Sequence, residues 1–115
     1  MFIATAIVSA VFALALILSA AAKLGKNPAI IQTMETVGFP VDRLWLLALA
    51  EIAGGVGLVA GLFWAPLGIA AAIGTTLYFL GATGSHLRVG DRNIGGAVVM
   101  LIVAIAALIL QILNA

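Results

Sequence analysis

The chain has 115 residues, 65% of them hydrophobic and only 8% charged, with a formal net charge of +1. A soluble domain carries roughly a quarter of its residues charged, so this chain cannot cover itself with polar surface and its solvent must be lipid. Five cations spread over two loops make no basic patch, which excludes nucleic acid as a partner, and with no cysteine the chain has no disulfide, Cys-based metal site or thiol chemistry of its own.

The first apolar run spans residues 1–22, broken only by Thr5, Ser9 and Ser19. Its end, "SAAAK" (Ser19 to Lys23), resembles a signal-peptide cleavage site, but the run lacks a basic n-region and is long for an h-region. A retained helix is expected. The connection from Lys23 to Arg43 has its own grammar: Asn27 can cap, Pro28 suits a first helical position, and Gly38 followed by Pro40 ends the element. Between them Ile30, Ile31, Met34 and Val37 share one face, which predicts a short amphipathic helix lying in the membrane interface.

A second run covers 44–63, bracketed by Trp45 and Trp64 as interfacial aromatics. "FWAP" (Phe63 to Pro66) is a tight turn, with Pro66 suited to the first turn of the next helix. The third run, 67–85, is therefore an antiparallel neighbour of the second. "HLRVGDRN" (His86 to Asn93) reads as a polar turn in which Asp91 or Asn93 can cap the fourth run, 94–113. Each run is about 20 residues, enough at ~1.5 Å per residue to cross a ~30 Å hydrocarbon core, and only helices can do so as open segments. The prediction is one all-α domain over 1–115, an integral membrane four-helix bundle with a short interfacial helix between its first two spans. All five cations (Lys23, Lys26, Arg43, Arg88 and Arg92) lie in the first and third connections. The positive-inside rule puts those loops in the cytoplasm and both termini outside.

Projection at 100° per residue places the few polar groups on common faces. In the first span Thr5, Ser9, Ser19 and Lys23 align; in the second Glu51 shares a face with Ala48, Gly54 and Gly55. In the third the face reads Ala71, Gly74, Thr75, Tyr78, Gly81, Ala82 and Ser85. Small and polar residues line membrane helix contacts, so all three stripes are expected to point into the bundle. Glu51 is 13 residues before Trp64 and Tyr78 is 13 after Ala65, which sets the two at one depth near the bilayer centre. Thr75, a turn away, completes an expected intramembrane polar cluster.

An isolated carboxylate in lipid costs several kcal/mol, so Glu51 needs a proton or a cation. Two readings stand: a proton-carrying or ligand-binding acid, or a neutral acid that fixes packing through a hydrogen bond to Tyr78. Lys23 has the right face but sits about two turns nearer the cytoplasm, and it is expected to snorkel, with a salt bridge to Glu51 if the helices tilt. His86, the one histidine, is a candidate proton-exchange group at the membrane surface. With one His and no Cys the chain makes a poor metal or haem set, and a structural loop histidine is the plainer reading. "GGVGLVAG" (Gly54 to Gly61) is no dinucleotide fingerprint, for no strand precedes it; its Gly57 and Gly61 are a GxxxG pair expected to pack within the bundle.

"AAKL" closing the first span, "GFP" before the second, "EIAGGVGLVAGL", "PLGIAAAIG" and "GATGSHLRVGD" together resemble the DoxX-like family of small bacterial four-helix membrane proteins, over nearly the whole chain. Members are named for similarity to membrane subunits of a thiosulfate:quinone oxidoreductase, and others are associated with redox and oxidative-stress functions. The resemblance implies a bacterial inner-membrane location and a redox-associated subunit. It makes Glu51, Tyr78 and His86 candidates for contact with a quinone or another lipophilic molecule, with partner proteins doing the electron chemistry and a homo-oligomer as a further possible assembly. A looser resemblance, to small multidrug transporters, implies a proton-coupled exporter of lipophilic cations working through Glu51, although in those proteins the glutamate lies in the first helix. A third reading is a structural assembly subunit, with Gly95, Gly96, Ala104 and Ala107 of the fourth span as its contact face.

Overall fold

A computed structural model describes residues 1–91 and 94–115. It contains α1 (Phe2–Leu24), α2 (Pro28–Val37), a 3-10 turn (Val41–Arg43), α3 (Leu44–Ala60), α4 (Ala65–Arg88) and α5 (Gly95–Asn114). The all-α bundle expected from the sequence is what forms. α1, α4, α5 and the stretch Val41–Ala60 are each long and apolar enough to cross a membrane, and the molecule is 40 Å in its longest dimension.

Adjacent pairs are α1 with α3, α3 with α4, α4 with α5, and α5 with α1, so the four spans close into a ring. Phe12 and Leu16 of α1, Leu58 of α3, Ala72 and Phe79 of α4, and Ala104 and Ala107 of α5 form the common core. Outside, Ile3, Ile7, Val11, Val99, Ile102 and Ile109 are exposed, an apolar surface that only lipid solvates without cost. Trp45 in the first turn of α3 and Trp64 at the N-cap of α4 are exposed, as interfacial aromatics should be. The end holding α2 and the α4–α5 connection is called the basic end below.

Small residues set how closely the spans approach. A Cβ on Gly55 would stand 3.3 Å from the carbonyl oxygen of Ala13, which marks the α1–α3 crossing. One on Gly57 would stand 2.7 Å from the Ala71 Cβ, and one on Gly61 would collide with the Gly68 backbone. The GxxxG pair therefore packs inside the bundle, against α4.

Caps follow sequence logic at α2, where the Asn27 side chain accepts from the Ala29 amide at 3.0 Å and Gly38 closes the helix at φ 77°. Three boundaries differ from expectation. α3 stops at Ala60 because the chain turns at Gly61, and α4 runs on through His86 and Arg88 to its end. Basic groups in a last helical turn meet the negative end of the dipole. Asp91 does not cap α5, whose N-cap is Ile94 with no side-chain cap bond; it binds His86 instead. Asn93, the other expected cap, and Arg92 lie outside the described residues.

Two expected faces also need correction. In α4 the buried residues are Gly68, Ala72, Thr75 and Phe79, while Gly74 and Gly81 of the anticipated stripe are exposed. Phe79 reaches Phe12, with ring centroids 6.2 Å apart, while Ala71, Tyr78 and Ala82 of the stripe are half-buried and pack against the core. In α5, Ala104 and Ala107 are fully buried among the other spans and offer nothing to a partner.

Candidate functional site

Lys23 is the penultimate residue of α1 and Ser19 lies one turn before it. Its ammonium donates to Ser19 Oγ at 2.9 Å and to Glu51 Oε1 at 2.6 Å. The close α1–α3 crossing at Ala13 and Gly55 is what brings the two helices within a lysine's reach. The Lys23 side chain is 12% exposed and that of Glu51 is sealed. Snorkelling is thus overturned: Lys23 turns down to the acid, since an unpaired carboxylate buried in the bundle costs more than withdrawing an ammonium from the interface.

Glu51 Oε2 is buried with no hydrogen-bond partner. Tyr78 is close enough for its phenol to interact with the carboxylate, yet their geometry falls short of a formed hydrogen bond that would satisfy Oε2. Thr75 is near but does not join the cluster as expected. Its hydroxyl donates to the carbonyls of Ala71 and Ala72, at 3.0 and 3.1 Å, and its methyl fills the space beside Gly54. His86 stands apart, with Nδ1 2.7 Å from Asp91 Oδ2.

Two voids meet at Tyr78. The larger, about 700 Å³, occupies the basic half of the bundle; Ser19, Lys23 and Tyr78 line it, Ala97 and Met100 wall it, and His86 and Arg88 stand at its outer end. Ile30, Thr33, Met34 and Val37 of α2 cover it, so the apolar face of the amphipathic helix roofs a cavity rather than simply lying on lipid. The Arg88 guanidinium donates to the Val37 carbonyl at 3.3 Å and pins the end of that roof to α4. Among the described residues no acidic side chain lines this cavity. The smaller void, about 360 Å³, is a cleft between α3 and α4 walled by Glu51, Gly54, Gly57, Ala70, Gly74 and Tyr78 among others. Among the described residues no three His, Cys, Asp or Glu side chains gather as metal ligands.

Sequence reasoning missed Gln111. It is buried in α5 and donates to Ser9 Oγ at 3.0 Å and to the Leu58 carbonyl at 3.1 Å, tying three spans together where Gly61 and Gly68 touch. The signal was its standing as the one polar side chain among residues 97–113.

Fold and site define a four-span helical membrane protein with an ion pair buried between two spans. Over residues 7–110 the chain matches the model of the DoxX-like family, and it belongs to that family. No curated protein and no solved structure matches it.

Proposed function

We propose that the protein is a membrane subunit that binds a lipophilic small molecule with a hydrogen-bond-accepting head, of the quinone class, and presents it to a redox partner. One observation carries this reading. An ammonium has three donors; Lys23 uses two, on Ser19 and Glu51, and its third is free for a ligand in the apolar cavity it lines. Tyr78 adds a phenol to the same wall. These donors fit a quinone carbonyl, and the cavity accommodates the ring and the start of an apolar tail. A bound quinone would supply two-electron, two-proton redox chemistry. Within this chain, Glu51 holds Lys23 in place, Lys23 and Tyr78 orient the carbonyl, and the roof of α2 excludes water.

An inner-membrane location, implied by the family resemblance, is part of the same proposal, with the basic end cytoplasmic and both termini outside by the positive-inside rule. The exporter reading is weakened by Lys23, which already occupies the carboxylate that a cationic substrate would need. The assembly reading loses Ala104 and Ala107, which are buried inside the bundle, and keeps only the exposed Gly95 and Gly96 of its contact face.

The test is equilibrium binding of decylubiquinone to the purified protein in nanodiscs. Saturable binding is expected, weakened at least about tenfold by Lys23→Met and by Ala97→Phe, which fills the cavity. No binding, or binding indifferent to both changes, overturns the reading.

A further inference from the structure

The cavity presents donors, whereas the cleft between α3 and α4 presents an acceptor. Glu51 Oε1 is bound to Lys23, but Oε2 is buried without a partner on a side chain that is fully sealed. A buried carboxylate oxygen left unmatched is costly, and native structures seldom tolerate it without a reason. Within the cleft that Glu51 walls, the Thr75 hydroxyl is committed to backbone carbonyls, and the Tyr78 phenol on the border, though it interacts with Glu51, forms no hydrogen bond to Oε2. Ala50, Ala53, Ala70 and Gly74 on its rim are exposed on the lipid-facing surface, so the cleft opens sideways into the bilayer.

We propose that this lateral cleft is a second binding site, taking from the bilayer a lipophilic alcohol or phenol whose O–H donates to Glu51 Oε2. Its volume of about 360 Å³ suits one ring or the head of a chain, not a bulky headgroup. The hydroxyl supplies the missing donor. Water cannot compete well from the lipid side, and an ether or ester of the same shape has no proton to offer. The ion pair thus separates two sites of opposite polarity: acceptor heads bind on the Lys23 side and donor heads on the Glu51 side, with Tyr78 bordering both. The inference extends the quinone reading to a second site and stands or falls separately from it.

The experiment compares 4-octylphenol with its methyl ether, 4-octylanisole, binding to the full chain in phosphatidylcholine nanodiscs. The phenol should bind at least about tenfold tighter than the ether. Ala70→Phe and Ala53→Phe fill the cleft from opposite walls and replace exposed side chains, so folding tolerates them; each should abolish phenol binding and leave decylubiquinone binding unchanged. Equal binding of phenol and ether, no detectable phenol binding, or phenol binding that survives both substitutions overturns the proposal. Loss of quinone binding alone sinks the first site only.

Discussion

At Glu51 a single missing contact would expose what the bundle is built to avoid. Removing Lys23 leaves a carboxylate with neither oxygen partnered, and breaking one half of a buried pair costs about 3–5 kcal/mol, whereas replacing both partners by apolar groups is often neutral. Lys23→Met should therefore destabilise the protein more than the double change Lys23→Met with Glu51→Leu, as read from unfolding midpoints in detergent. A double variant less stable than the single one would show that the pair is not what the lysine serves. Gln111 is a smaller case. Membrane interhelical hydrogen bonds contribute roughly 0.6 kcal/mol each on average, so Gln111→Ala, which removes two, should cost about 1 kcal/mol in the same assay. Glu51 stood out in the sequence as a lone acid in an oily run, whereas Gln111 was missed although it is the one polar side chain among residues 97–113. Their partners were not legible there, because a lysine's reach and an amide's direction depend on helix separations that only packing sets.

Among the elements, α4 shows where periodicity stops informing. In water, the apolar side of a helix is the inside. In lipid both sides are apolar, and the only guide is the preference of small and polar residues for contacts. That guide worked for α1, where Thr5 and Ser9 are fully buried, and for α3, where Glu51, Gly54 and Gly55 are. For α4 it held in part: Thr75 is buried and Ala71, Tyr78 and Ala82 pack against the core, but Phe79 packs on Phe12 and Gly74 and Gly81 face outward. The consequence is a sharp difference between glycines in one helix. Gly68→Ala puts a methyl against the Gly61 backbone and the Gln111 side chain, where no flexible end can yield without breaking the Gln111 bonds. Gly74→Ala and Gly81→Ala meet nothing within 4 Å. The first should cost at least about 2 kcal/mol as overpacking, and the other two should be neutral or stabilise by up to ~1 kcal/mol through helix propensity. Detergent unfolding midpoints of the three variants test this; equal losses at all three would mean that the α3–α4 crossing is looser than Gly61 and Gly68 make it.

For the whole molecule, composition alone determined the solvent, since 8% charge cannot wet 115 residues. Span count and the amphipathic α2 followed from run lengths and from Asn27, Pro28 and Gly38. The ring order and the two voids did not, because neither is encoded by any one helix. The asymmetry of charge, however, was legible and has a structural counterpart: among the described residues, the larger cavity lies at the end where every charged side chain except Glu51 is found. In the proposed orientation, taken from the positive-inside rule, that end would face the cytoplasm, and a ligand in the cavity would meet a cytoplasmic partner through α2. The absence of native cysteine makes this directly measurable. Phe63→Cys, on the exposed α3–α4 turn, should react with a membrane-impermeant maleimide in intact cells, and Glu35→Cys, exposed on α2, only after permeabilisation. The reverse pattern would put Lys23, Arg88 and the roof of α2 outside, and any redox partner would then have to be sought on that face.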